Sequence, residues 1–264
     1  MTDFAKFGKE KNFIECPELL DIHVPRMCEA NKRVLTYLKD SDLIHSGVVV
    51  FEDFLGPDKA RLIAEQAHKS VIKDGKCPAS ILHNLEGTHV HENCRPIWLA
   101  IKPFFHKRVY AEIHNRFWWL GYIQHLYNCP DDYDEQKVFH TDTFYPSIKF
   151  WYFPEAVREE DGPFWFCERS VELTDKLIDW HKARIEDIRE KRVEDWRGPR
   201  HLEGSLRIST LELKDLGYEP RPVCVEADTL VIANTFGFHR RGDVASPKHR
   251  VSIHGSIRVF NPFG

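Results

Sequence analysis

No two cysteines in this chain stand at C-x-x-C spacing, and their number, seven, is odd. That argues against a disulfide framework and against a cysteine-rich zinc site. Free thiols suit a reducing compartment. No apolar run is long enough to cross a bilayer. The opening stretch MTDFAKFGKEKNF lacks the apolar segment of a secretory leader. The expectation is a cytoplasmic protein. Neither sign of charge dominates, with 37 basic and 41 acidic residues and a net charge of -4. Such a balance gives no general pull toward nucleic acid or an anionic membrane. There is no internal repeat and no low-complexity tract.

What is present is apolar and aromatic bulk. Of the 264 residues, 42% are hydrophobic and 12% aromatic, including 18 Phe and 7 Trp. That fills a sizeable core without staples. We read the chain as one domain over 1–264, with a helical layer and leading strands in 1–120 and a β-rich core in 121–264. PRMCEANKRVLTYLKD reads as a helix, and SGVVVFEDFLG as a short buried strand. GPDKARLIAEQAHKSVIKDG follows as a helix, with Pro57 near its start and Gly75 past its end. A second helical pattern covers about Pro96 to Trp119.

From Gly121 short aromatic or β-branched runs follow one another, bounded by Gly, Pro, Asp and Asn, as in a sandwich or barrel. One helical insert interrupts them at about 172–215. Its charged stretch ELTDKLIDWHKARIEDIREKRVEDWR carries Leu177, Trp180, Ile185 and Ile188 as apolar spots. Two readings are open: a solvated helix packed on one edge, or a lid over the barrel mouth.

The chemistry sits in QKVFHTDTFYPSIKFWYF. Side chains alternate faces along a strand, so His140 and Asp142 point the same way. Two histidines and one carboxylate, arranged to leave open positions, are the ligand set of non-haem Fe(II) oxygenases. His239, in ADTLVIANTFGFHRRGDV, is the candidate third ligand. The final strand HRVSIHGSIRVF alternates strictly, with Arg250, Ser252, His254, Ser256 and Arg258 on one face. If the apolar face packs on the N-terminal helices, the polar face looks inward. An interior arginine needs a carboxylate. A dicarboxylate cosubstrate fits, with one end on the metal and the other on Arg250, eleven residues after His239.

These residues resemble the Fe(II)/2-oxoglutarate dioxygenases, and within them the phytanoyl-CoA dioxygenase-like family. The segments that carry the resemblance are FHTD, KFWYFPEAVREEDGPFWF, ADTLVIANTFGFHRRG and PKHRVSIHGSIR, over roughly 121–260. It implies an all-β core with flanking helices: a double-stranded β-helix, or jelly roll, with an N-terminal helical layer and the helical insert. It implies Fe(II) on His140, Asp142 and His239. It also implies 2-oxoglutarate with its distal carboxylate on Arg250, helped by Ser252, and O2 as the oxidant. Gln124, on the preceding strand, joins the cosubstrate pocket. The implied activity is hydroxylation of a small molecule with release of succinate and CO2. Halogenating relatives have a small residue where this chain has Asp142. Where the family usually has Gly-Ser-His after its Gly-Pro-Phe segment, this chain reads Glu168-Arg169-Ser170.

Other readings stand beside these. THVHENC places His89, His91 and Cys94 together, as a zinc set or a polar loop. HRRGDVASPKHR gathers Arg240, Arg241, Lys248 and Arg250, for an anionic substrate or as a loop paired locally to Asp243. Lys149 reads as an anion contact or as an edge lysine. For the whole chain the alternatives are a non-catalytic jelly-roll binding module and a cupin-type metal hydrolase or isomerase, which would not need Arg250.

Overall fold

The structure is a computed structural model that describes residues 13–14, 16–68, 79–83, 99, 102–105, 120–130, 134–143 and 147–258. The THVHENC segment, Gly75 and most of the Pro96–Trp119 pattern lie outside these residues.

Two antiparallel sheets form the core. Strands β1 (Val48–Phe51), β2 (Ala79–His83), β3 (Leu120–Asn128), β5 (Ser147–Phe153), β9 (Thr229–Asn234) and β11 (Lys248–Arg258) make the first, in the order β1-β9-β5-β11-β3-β2. Strands β4 (His140–Asp142), β6 (Phe164–Phe166), β7 (Ser205–Arg207), β8 (Arg221–Val223) and β10 (His239–Arg241) make the second, in the order β7-β4-β10-β6-β8. Chain neighbours such as β4 and β5 fall in different sheets, so the chain passes repeatedly from one to the other.

Helices cover the outer faces. The first, α1 (Leu19–Leu35), starts six residues before the Pro25 at which the sequence places its beginning. Proline favours the first turn, but here it sits inside the helix, where its missing N–H leaves the Asp21 carbonyl without a helical donor. Helix α2 (Ser41–His45) is capped by Asp40, whose Oδ1 accepts from Leu43 N at 2.8 Å. Helix α3 (Pro57–His68) begins at the proline the sequence marks. Val34, Leu38, Leu43 and Ile63 pack on Ile148, Phe150, Val251 and Ile253. The apolar face of β11 therefore meets the N-terminal helices, as its alternation requires, and its other face turns inward.

The insert resolves as α4 (Asp175–Arg189), α5 (Gly198–Leu202), β7 and α6 (Thr210–Leu216). Thr174 caps α4, and Ser209 with Glu212 forms a capping box on α6. Leu177, Trp180, Ile185 and Ile188 are all buried, against Phe236, Phe238 and Leu206. They form one stripe at helical spacing. Helix α4 is thus packed on the second sheet, and the lid reading is corrected. The insert is also not wholly helical: β7 pairs with β4, placing Arg207 opposite His140 and Ser205 opposite Asp142.

Cys16, Cys28, Cys167 and Cys224 are free thiols. Cys129 is disulfide-bonded, which departs from the expectation of unpaired cysteines. Among the described residues no helix is long and apolar enough to cross a membrane.

Candidate metal centre

β4 and β10 are antiparallel neighbours in which His140 stands directly opposite His239. Opposed residues put their side chains on the same face. The two imidazole centroids are 4.3 Å apart. Asp142, two residues along β4, shares that face. Ligand atoms of His140, Asp142 and His239 all lie within 4.8 Å of one another. His239 does not end the apolar strand that precedes it. That strand is β9 of the first sheet, and Thr235–Phe238 cross the chain to the second, where His239 opens β10.

The rings are held in one tautomer. His140 Nδ1 donates to the Val138 carbonyl at 2.8 Å, and His239 Nδ1 donates to the Gly237 carbonyl at 2.9 Å. A carbonyl only accepts, so the proton sits on Nδ1 and each Nε2 keeps a lone pair. Burial pushes the His239 pKa down to about 4 against the pull of Asp142, and pushes His140 well below its usual range, helped by His239 and Arg207. Burial alone would raise the Asp142 carboxyl, but Lys149 and the two histidines overturn it and hold the group well below the usual carboxylate range. Two neutral imidazoles and one carboxylate, with the second nitrogens tied to backbone, are a donor set that fits a divalent metal.

A cavity of about 110 Å³ lies between the sheets beside this set. His140, Phe164 and His239 line it from the second sheet. Lys149, Trp151 and Phe153 of β5 line it from the first, with Arg250 and His254 of β11. Arg250 is 9% exposed. Its Nη1 donates to the Gly162 carbonyl, and its guanidinium lies 6.0 Å from the Phe153 ring centre. Its Nε has no hydrogen-bond partner among the described residues. Burial and then Arg241 push the Arg250 pKa down to about 9, and Asp134, which acts the other way, is bonded to Arg241 at 2.6 Å. Arg250 thus lines the cavity with bonding capacity left over, and a carboxylate is its natural partner.

Close approach of two loops fixes Gly162. Its φ is +69°, and a Cβ there would stand 2.9 Å from the Gly242 carbonyl and collide with Asn128 Nδ2. Gly242 N donates to Pro163 O at 2.7 Å. The carbonyl that anchors Arg250 is therefore set by a crossing that admits glycine and little else.

No family model and no curated protein matches the chain. In outline, the chain is similar to several solved structures. One is the epimerase SnoN in complex with Fe3+, alpha ketoglutarate and nogalamycin RO, at 14% identity and TM-score 0.49, covering 87% of this chain and 83% of that one. Another is HygX from Streptomyces hygroscopicus with nickel and 2-oxoglutarate bound, at 13% identity and TM-score 0.49, covering 83% of this chain and 86% of that one. A third is AviO1 from Streptomyces viridochromogenes Tue57, at 12% identity and TM-score 0.42, covering 86% and 92%.

Of the residues the sequence points to, the structure brings His140, Asp142, His239 and Arg250 to one place. Ser252 is buried between Arg250 and His254 on β11, yet it is not among the residues that line the cavity. Gln124 lies opposite Ser252 in the β3–β11 ladder, and its side chain is outside the described set. The basic residues of HRRGDV are spoken for: Arg240 bonds Asp243 and Arg241 bonds Asp134, each at 2.6 Å. The local-pairing reading holds for Arg240, whereas Arg241 pairs with a residue far away in the chain, and both arginines also line the cavity. Sequence reasoning missed Trp151, Phe153 and Phe164 as cavity walls, although β5 alternation from Lys149 already puts Trp151 and Phe153 on its face. It left Lys149 undecided. Lys149 Nζ bonds Asp142 Oδ2 at 2.6 Å.

Proposed function

We propose that this protein is an Fe(II)- and 2-oxoglutarate-dependent oxygenase that hydroxylates a small molecule, on a jelly-roll core of the phytanoyl-CoA dioxygenase-like kind. One observation carries the reading. Two neutral imidazoles with one carboxylate, His140, His239 and Asp142, lie beside a cavity between the sheets that a buried arginine with an unused Nε also lines. A hydrolytic metal centre has use for the first and none for the second.

In this reading His140 and His239 bind the metal through Nε2, and Asp142 binds through its carboxylate. The Val138 and Gly237 carbonyls keep both rings in the binding tautomer, so no proton has to leave before the metal enters. Arg250 receives the distal carboxylate of 2-oxoglutarate. The Gly162 carbonyl holds the guanidinium so that its remaining N–H groups face the cosubstrate. Trp151, Phe153 and Phe164 wall the space and exclude water, which strengthens the ionic contact in place. Iron with 2-oxoglutarate and O2 supplies the oxidation of a substrate C–H bond, with succinate and CO2 as coproducts.

The test is anaerobic. Fe(II) and 2-oxoglutarate added to the protein without oxygen give the weak visible band of keto-acid chelation. The band is diminished in Arg250→Ala and absent in Asp142→Ala. A protein that binds metal and gives no band is a metal hydrolase or isomerase instead. One that binds no metal is a binding module.

A further inference from the structure

Lys149 and Asp142 come from facing sheets, β5 and β4, and their ion pair spans the cavity edge. Lys149 is among the residues that line the cavity and Asp142 is not. The oxygen it takes is Oδ2, which is also the carboxylate oxygen 3.9 Å from His239 Nε2. Among the described residues Asp142 is the one carboxylate within ion-pair distance of Lys149. The side chains are 22% and 19% exposed, so water screens the pair only in part.

From this we propose that Lys149 is a built-in competitor of the metal: its ammonium and a divalent cation contend for the same oxygen of Asp142, and Lys149 sets how tightly the triad binds metal. The inference rests on the triad being a metal site.

The alternative role for such a lysine is to orient the carboxylate for the metal, and the two roles predict opposite signs. The structure favours competition. The backbone of Asp142 is already fixed without Lys149, because its N–H donates to Thr235 O at 3.0 Å and β4 is held on both edges by β10 and β7, so its side chain leaves the strand in a set direction. What Lys149 adds is charge, and each electrostatic consequence has the same direction. The ammonium occupies an oxygen the metal needs. It repels a divalent ion beside it. Without it Asp142 is a part-buried carboxylate lacking its cation, which a metal relieves.

The experiment is a titration of Mn(II) into the whole protein without 2-oxoglutarate, followed by the loss of the free-ion electron paramagnetic resonance signal. Lys149→Met, which keeps the apolar stem, binds Mn(II) on the order of five- to tenfold more tightly than the wild type. Lys149→Arg keeps the positive charge and stays near the wild type. Thermal melts of all three confirm that they are folded, and a variant that does not fold is replaced by Lys149→Gln, for which the same tightening is expected. Equal or weaker binding by the neutral variant overturns the competition while leaving the metal site standing. Failure of both the wild type and the variants to bind Mn(II) overturns the metal site, and the competition with it.

Discussion

His140 and His239 face each other across the β4–β10 ladder, and each donates its Nδ1 proton to the carbonyl two residues before it, Val138 and Gly237. The same local device is used twice, on two short strands that meet only in the folded chain. It makes both rings present Nε2 to the same point, and it locates the weak spots of the centre in the backbone that holds the rings.

Gly237 is one of them. A Cβ there would stand 2.5 Å from the Phe166 ring and 3.0 Å from Ser170 Oγ, which itself accepts from Phe238 N. Gly237→Ala therefore shifts the carbonyl that orients His239. Metal affinity should fall by roughly 10- to 100-fold, the usual cost of losing a partner behind a ligand. His239→Ala should lose more. Calorimetric titration with Co(II) separates the two, and unchanged affinity in Gly237→Ala would show that the carbonyl does not matter.

Arg250→Lys tests geometry against charge. A lysine retains the positive charge but has neither the unpartnered Nε nor the planar fork that holds the Gly162 carbonyl at the same time. Binding of 2-oxoglutarate to the Co(II)-loaded protein should weaken by at least about tenfold, with Co(II) affinity unchanged. Equal loss of both would place Arg250 in the metal site rather than beside it.

Gly162→Ala acts on the same arginine from the backbone. The left-handed φ of +69° and the contact with the Gly242 carbonyl make any side chain strained there. A stability loss of about 1–3 kcal/mol is expected, read by urea unfolding. Weaker 2-oxoglutarate binding with intact metal binding should accompany it.

Acid should destabilise the protein, in part through two histidines of the helical layer. His23 on α1 and His181 on α4 are buried, and burial pushes each pKa down to about 3, with His23 adding to the shift of His181. Neither ring nitrogen of His181 has a hydrogen-bond partner among the described residues. Below the ordinary value of 6.5 the unfolded chain takes up protons that the folded chain refuses until about 3. Stability is thus full above 6.5 and falls as pH drops through that window, by roughly 1–2 kcal/mol per histidine at pH 5. His181 stacks on Phe236 at 5.8 Å, so His181→Phe keeps the packing. Urea midpoints at pH 7.5 and pH 5 should differ less in this variant than in the wild type. An equal difference would exclude His181 as a source of the acid sensitivity.

Some of this was legible from residues alone, because strand alternation is a local rule. His140 and Asp142 had to share a face, and so did Arg250, Ser252 and His254, opposite Val251 and Ile253. The apolar stripe of Leu177, Trp180, Ile185 and Ile188 announced a buried helix face in the same way. Whether that face covers the cavity or the back of a sheet depends on what lies beneath it, and Phe236 and Phe238 decide for the back. The edge strand Ser205–Arg207 was hidden inside a helical stretch because three residues are too few to show a period.

The sequence by itself determined which side chains share a face and which types of donor are present, since both follow from chemistry within a few residues. Tertiary structure alone decided that His239 meets His140, that the Gly162 carbonyl takes Arg250, and that Lys149 takes Asp142. Each of these joins segments far apart in the chain. Their meeting is set by which sheet each strand enters and how the two sheets close on one cavity, and no spacing along the sequence encodes that.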